Sequence, residues 1–211
     1  MNKKVLGIAV VLLVVAMLAT PVFGTAQACG FGRSRRAAPP TRGTFSQGLV
    51  EVTVTPGESF TTGDVQHNRG ATGATYLYGA PWGNSLPDSG STTIIMRINT
   101  VTWTGRRILM SHETYAAGTV VGIVIAEILG FGSYTYMGPT FSFDLPGISG
   151  TVTQGDTFLG LLVEGFGVKH GVSGDLKGLQ TKETFTGVSI LVGPLTGVSL
   201  LDNTVTYKLP G

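Results

Sequence analysis

Apolar and polar residues alternate along much of the chain after residue 43, which is the pattern of β-strands that bury one face. The alternation is clearest over residues 92–104, where Ile94, Met96 and Ile98 fall on one face and Arg97 and Asn99 on the other. Pro, Gly, Asn and Asp residues that favour chain reversal separate such segments. The pattern predicts an all-β domain, an antiparallel barrel or sandwich of about 8–10 strands. Further strands are predicted at residues 49–55, 74–78, 107–114, 133–143, 157–166, 175–186 and 204–209.

One segment, residues 119–129, fits either a buried helix or a strand. Its end, from Ala126 to Leu129, favours helix locally, whereas its first half is rich in β-branched residues. Gly122 would cost a helix up to about 1 kcal/mol. We predict a strand.

The first 28 residues have the layout of a secretory signal. Lys3 and Lys4 precede an apolar run, and the small-residue triplet from Ala26 to Ala28 follows Pro21. An uncleaved membrane anchor is the alternative, because an apolar helix of this length comes close to spanning a bilayer. Either way, we expect an N-terminal hydrophobic helix before the β domain. The protein is then secreted or anchored on the outer face of the cytoplasmic membrane.

Cys29 is the single cysteine, so no intramolecular disulfide is expected. Its place directly after Ala28 resembles that of the cysteine which carries the lipid in lipoprotein precursors. That resemblance implies lipid attachment at Cys29, and a plain exposed thiol is the alternative. The membrane is therefore an expected partner, through the N-terminal segment or through this lipid.

Residues 29–43 are rich in Arg, Gly and Pro and predict a flexible linker between the N-terminal segment and a β domain at residues 44–211. The linker and the residues before it hold six of the 14 Lys and Arg residues, whereas all 12 Asp and Glu residues lie after Gly43. The β domain thus carries eight basic and 12 acidic residues, a net charge of −4. No nucleic-acid partner is expected from such a surface.

The sequence contains no nucleophile elbow, zincin motif, phosphate loop or dinucleotide fingerprint. His67, His112 and His170 fall on different predicted elements, so we predict no metal site, although a three-histidine site is the alternative. No cofactor and no catalytic residue are predicted. Four glutamates in predicted strands are candidates for an acid–base pair if two of them face each other: Glu51, Glu113, Glu127 and Glu164.

Aromatic residues supply the predicted ligand-binding site. Tyr76, Tyr78 and Trp82 cluster beside a loop rich in Pro, Gly, Asn and Ser. Such residues recognise sugars or apolar molecules, and strand packing is the alternative.

Residues 169–187, KHGVSGDLKGLQTKETFTG, contain a run of glycines at Gly171, Gly174 and Gly178 around the apolar Leu176. This segment resembles the glycine-rich hairpin of calycin-like barrels of the dirigent and allene oxide cyclase type. It is also similar to small archaeal secreted proteins built from Gly- and Thr-rich strands. The resemblance covers about a tenth of the chain; it implies an antiparallel barrel and transfers no active-site residue.

These observations leave two classes of function. The first is a non-catalytic extracytoplasmic β domain that binds a small apolar molecule or a glycan on its inward faces. The second is a structural cell-surface protein that self-associates through its edge strands. We prefer the first, because closure of a barrel removes the edges that assembly would use. A hydrolase with an unrecognised site is the least favoured class.

Overall fold

A computed structural model describes residues 41–86, 90–193 and 196–210. The secondary structure in these ranges consists of strands and one 3-10 turn, η1 (Gly174–Leu176). The strands are β1 (Arg42–Thr55), β2 (Glu58–Thr62), β3 (Val65–Tyr78), β4 (Gly90–Asn99), β5 (Thr104–Tyr115), β6 (Gly118–Thr135), β7 (Phe141–Leu145), β8 (Ile148–Val152), β9 (Thr157–Gly171), β10 (Gln180–Gly193) and β11 (Thr196–Lys208). The predicted all-β class is confirmed.

All strand pairings are antiparallel. Nine strands form one sheet in the order β1-β11-β10-β9-β6-β5-β4-β3-β2, and β7 and β8 form a separate hairpin. Strand β1 also pairs with β3, from Gly48 opposite Tyr78 to Thr55 opposite Thr72. The ladder of hydrogen bonds therefore returns to the strand at which it began.

Residues 119–129 lie in β6, so the prediction of a strand there is confirmed. Ladders with β5 and β9 satisfy the backbone of β6 on both sides. The β-branched side chains of this segment suit such a central strand.

The segment predicted as one strand at residues 92–104 contains the turn between β4 and β5. The Asn99 side chain accepts hydrogen bonds from the backbone N–H groups of Val101 and Thr102, both at 2.9 Å. Trp103 then has a positive φ of 58°. The side-chain hydrogen bonds of Asn99 reverse the chain without a proline or a glycine pair, which is why hydrophobic alternation missed this turn.

The sheet has two faces with different neighbours. One, called the core face here, carries an apolar cluster contributed by every strand of the nine-stranded sheet except β2: Leu49, Ala71, Leu77, Ile94, Ile98, Leu109, Val124, Ala126, Ile128, Leu161, Val163, Phe185 and Leu201. The opposite, outer face of β1, β3, β10 and β11 is covered in part by the β7–β8 hairpin. Its Phe141, Phe143 and Val152 pack in one cluster with Val50 and Val188.

A third cluster lies where β5, β11 and η1 come together. Trp82 contacts three aromatic rings there in edge-on or nearly edge-on geometry, those of Phe45, Tyr115 and Tyr207, with ring centroids 5.3 to 6.0 Å apart. Leu176 and Leu179, which follow β9, complete the cluster.

The N-terminal predictions lie outside the described residues. These are the hydrophobic helix, signal or anchor at residues 1–28, the lipid on Cys29 and most of the linker, whose last two residues belong to β1. Within the described ranges, no helix has the length and apolar character needed to span a bilayer.

Candidate functional site

The core face contains a buried ionic group in which one lysine serves two carboxylates. Nζ of Lys169, on β9, lies 2.5 Å from Oε1 of Glu113 on β5 and 3.0 Å from Oε2 of Glu183 on β10. The side chains of all three are at most 5% exposed. Tyr115 donates a hydrogen bond of 3.2 Å to the second oxygen of Glu113. We call these four residues the lysine group.

Two glycines make room for the lysine group. Gly167 lies opposite Glu183 in the β9–β10 ladder, and a Cβ atom on it would come within 2.5 Å of a Glu183 carboxylate oxygen. Gly122 lies opposite Lys169 on β6, where a Cβ would come within 2.3 Å of the lysine Cγ. The charged side chains therefore lie over backbone that has no side chain of its own on the core face.

Burial and pairing act in opposite directions on these groups. Burial lowers the pKa of Lys169, but the charges of Glu113 and Glu183 outweigh it and hold the pKa well above its usual range. Burial, with repulsion from Glu113, raises the pKa of Glu183 in spite of its contact with Lys169. The pKa of Tyr115 is also raised, mainly by burial and then by the charge of Glu113. One ammonium is shared between two carboxylates, so the excess negative charge favours a proton on Glu183.

A second ionic group joins β5, β1 and β11. The Arg107 guanidinium contacts a carboxylate oxygen of Glu51 and donates a 3.1 Å hydrogen bond to Oγ of Ser199. Oγ of Ser199 in turn lies 2.8 Å from Oγ of Ser189. Burial lowers the pKa of Arg107 to about 10, which leaves the side chain charged at neutral pH. We call these residues the arginine group.

A cavity of about 30 Å³ lies between the two groups and is lined by residues of both. Oδ1 of Asn203 and Oγ of Ser111, which also line it, are buried and make no hydrogen bond within the described structure. A second cavity, on the other side of Arg107, measures about 40 Å³. Spaces of this size have room for a few water molecules. Drug-sized ligands occupy about 300 to 1,000 Å³.

The geometry leaves little reactivity to the buried groups. An amine acts as a nucleophile or base only when it has lost its proton, and two carboxylates hold that proton on Lys169. Glu51 and Glu113 are each engaged by a cation. What the two groups can do is hold the strands that carry them in one register.

The predicted aromatic site is divided between two clusters. Tyr76 and Tyr78 lie on the outer face of β3, where their rings pack against Phe141 of the β7–β8 hairpin at centroid distances of 6.0 and 5.4 Å. Trp82 belongs to the other cluster, around Tyr115. The structure therefore brings the two tyrosines together and places the tryptophan apart from them.

Of the four glutamates of the predicted acid–base set, the structure brings one pair together and keeps the other two apart. Glu51 and Glu113 lie on the core face in different ionic groups. Glu127 and Glu164 are direct cross-strand neighbours on the outer face. Sequence reasoning missed Lys169, Glu183 and Arg107 as buried charges. The sequence did carry a signal for Glu183. In β10 it lies two residues from each of the buried residues Thr181 and Phe185, and side chains two residues apart in a strand lie on the same face.

The three histidines do not converge. His67 stacks on Phe60 with ring centroids 4.7 Å apart, whereas His112 and His170 flank Val121 on the outer face. Within the described ranges, no three His, Cys, Asp or Glu side chains are grouped as a metal site requires.

The lysine group predicts a large loss of stability for Lys169→Met. The substitution leaves Glu113 and Glu183 buried beside each other without a cation, which typically costs about 3–5 kcal/mol. Lys182→Met, on an exposed position of β10, is the matched control and should change the unfolding free energy by less than about 0.5 kcal/mol. Urea unfolding at neutral pH measures both variants. Equal effects would contradict the role of the lysine group.

Glu183 predicts a specific pH dependence of stability. Its raised pKa means that the folded protein holds a proton at pH values where the unfolded chain, with an ordinary pKa of about 4.3, has lost it. This contribution is fully present below the unfolded pKa and is lost as the pH rises through the folded pKa. Glu183→Gln removes it and keeps a neutral polar side chain in place.

We therefore expect the difference in unfolding free energy, wild type minus Glu183→Gln, to fall as the pH is raised from about 4. Within the titration window the slope approaches about 1.4 kcal/mol for each pH unit. Urea unfolding over a pH series measures the difference, with the exposed Glu58→Gln as the control that shows no such trend. A difference that rises with pH would contradict the assignment.

No family model, no curated protein and no solved structure matches this chain. The features of the molecule that bear on its function are therefore a densely occupied core face, two ionic groups, and cavities of the size of a few water molecules.

Proposed function

We propose that the protein is a non-catalytic β domain that works outside the cytoplasm as a rigid structural unit, and that its ladder is an eight-stranded closed barrel. The pairing of β1 with both β11 and β3 supports closure. Strand β2 then continues along β3 beyond the closure, from Glu58 opposite Arg69 to Thr62 opposite Val65.

The observation that carries this proposal is the occupied interior. In a closed barrel the core face is the inside, and it holds the apolar cluster, the lysine group and the arginine group. The two cavities between them, about 30 and 40 Å³, are roughly a tenth of the volume that a ligand chamber needs. A small apolar molecule or a glycan would have to displace paired charges in order to enter.

The extracytoplasmic location depends on the N-terminal segment, with its basic start, apolar run and small residues before Cys29. In this proposal the segment, or a lipid on Cys29, brings the barrel to the outer face of the cytoplasmic membrane. Among the described strands, closure leaves β2 and both strands of the β7–β8 hairpin with an unpaired edge, and each has five residues. These edges offer only short segments for edge-to-edge assembly, and contacts through the faces of the barrel are favoured instead.

Ligand binding at one end of the ladder is the second candidate function. Phe131 and Leu159 lie on the part of β6 and β9 that follows the bulge at Gly130, and they are 67% and 61% exposed. Phe131 is opposite Leu161, which lines the 40 Å³ cavity. An apolar ligand could bind on this surface without entering the interior.

Closure predicts slow amide hydrogen exchange throughout the middle of β1. If β1 is paired on both sides, all amides of residues 49–52 exchange as slowly as those of the central strand β6. Strand β2 is the internal control: it pairs with β3 alone within the described ranges, so every second amide should exchange fast. Exchange measured residue by residue by NMR tests this. If every second amide of β1 exchanges fast, as expected for β2, then β1 is paired on one side only and the sheet is open.

The structural role predicts that the full chain carries no bound small molecule. Native mass spectrometry of protein released from a mild detergent should give the mass of the polypeptide, plus any covalent lipid on Cys29, which survives denaturation. Extra mass that leaves on denaturation would instead favour the binding function. Phe131→Ser would then distinguish the sites, because it abolishes binding at the end of the ladder and leaves binding in the interior unchanged.

A further inference from the structure

The two halves of the outer face of the sheet differ in the side chains they carry and in the elements that cover them. Over β1, β3, β10 and β11 it is partly covered by the β7–β8 hairpin, and the rest carries threonines and lysines such as Thr184, Thr204 and Lys182. Over β4, β5, β6 and β9 no described element covers it. That half is nevertheless apolar, and we call it the isoleucine face: Ile95, Ile108, Met110, Ile123, Ile125, Phe166 and Val168.

The strand registers place these side chains in two rows that run straight across the four strands. The first row is Ile95, Ile108, Ile125 and Phe166, and the second is Thr93, Met110, Ile123 and Val168. Met110, Ile123, Phe166 and Val168 are 50 to 55% exposed. A contiguous apolar surface of this kind, bordered by polar residues, is typical of an interface rather than of a free surface.

A row of charges borders the isoleucine face, and its order is unusual. Arg97, Arg106, Glu127 and Glu164 are successive cross-strand neighbours on β4, β5, β6 and β9. Arg106 and Glu127 form an exposed salt bridge of 2.6 Å. Arg97, however, lies directly opposite another arginine and Glu164 directly opposite another glutamate. Like charges in this position destabilise a sheet, and neither Arg97 nor Glu164 forms an ion pair with another described residue.

We infer that the isoleucine face binds a second copy of this chain, across a two-fold axis that runs parallel to the strands between β5 and β6. Such an axis places β4 of one protomer over β9 of its partner, and β5 over β6. Arg97 then faces the partner's Glu164, and Arg106 faces the partner's Glu127. The like-charged neighbours within each protomer become opposite charges across the interface.

The same operation matches the apolar rows. Ile108 faces the partner's Ile125, Met110 faces the partner's Ile123, and Ile95 faces the partner's Phe166. Rotation keeps the strand direction, so β5 and β6 of the two protomers run parallel across the contact. The outer face of a closed barrel is convex, so these two strands form the centre of the contact, and β4 and β9 lie at its margin. A two-fold axis perpendicular to the strands, centred on the charged row, would instead superpose arginine on arginine. The charge order therefore selects one dimer geometry.

The charges also favour a protein partner over a lipid surface. The bordering row holds two arginines and two glutamates, so it has no net charge to attract an anionic membrane surface, whereas its order of charges complements a second copy. The face is about 14 Å wide, from three strand spacings of about 4.8 Å, which is small for a specific interface. We expect a dimer that dissociates at micromolar concentrations.

This inference deepens the proposed structural role. It rests on that role only where it identifies the partner as a second copy of this chain. Its test is sedimentation velocity of the full chain in a non-ionic detergent, over a concentration series. Wild type should pass from monomer to dimer. Ile123→Lys, at a half-exposed position in the middle of the face, should shift the transition at least about tenfold higher in concentration. Thr184→Lys, exposed on the threonine-rich half of the outer face, is the matched control and should dimerise like wild type.

A charge exchange tests the geometry. Arg97→Glu and Glu164→Arg should each weaken the dimer, because each variant faces a like charge in the partner. The double variant restores opposite charges and should restore dimerisation, which a general effect of either substitution on folding would not do. Within a protomer both single substitutions create favourable cross-strand pairs, so stability is maintained.

The outcomes separate the two proposals. A wild-type chain that stays monomeric throughout, or single variants that the double variant fails to rescue, would overturn the dimer. Binding of the full chain to anionic vesicles that Ile123→Lys abolishes, without any dimer, would overturn it in favour of a lipid surface. A small molecule found in the interior by native mass spectrometry would overturn the structural role and leave the dimer standing.

Discussion

Charge buried on the core face is the constraint on which the rest of the structure depends. Glu51, Glu113 and Glu183 face Arg107 and Lys169 there, away from water. Removing a charge from water costs several kcal/mol unless a partner replaces the lost hydration. Each ionic group draws its members from different strands, so the partners meet only when β1, β5, β9, β10 and β11 are in the observed register. A shift of any one of these strands by one residue would turn its own side chains to the outer face and separate the partners.

The same constraint explains the small residues around the ionic groups. Gly122 and Gly167 lie under Lys169 and Glu183, where any Cβ atom would collide with the charged side chains. The charges thus occupy volume that large apolar residues fill in other cores. What space remains is of the size of a few water molecules, and this supports the proposal of a structural interior.

The proposed structural role directs attention to the outer surface, which has three kinds of region. The β7–β8 hairpin covers one, threonines and lysines occupy a second, and the isoleucine face is a third. Only the third combines exposed apolar rows with a bordering row of two arginines and two glutamates. The self-complementary order of these charges is a property of the strand order, since β4, β5, β6 and β9 are brought side by side from separate parts of the chain.

The sequence by itself determined the class of the fold and many of its strands, because side chains of a strand alternate between faces and the alternation is local. It identified 119–129 as a strand from its β-branched residues, and it failed at Asn99 to Trp103, where side-chain hydrogen bonds make a turn inside an alternating segment. Only the tertiary structure decided which residues meet. Tyr76 and Trp82 are close in sequence but lie in different clusters, whereas Lys169 and Glu113 are 56 residues apart and in contact. Alternation says which face a side chain lies on, but strand order and register decide its neighbours.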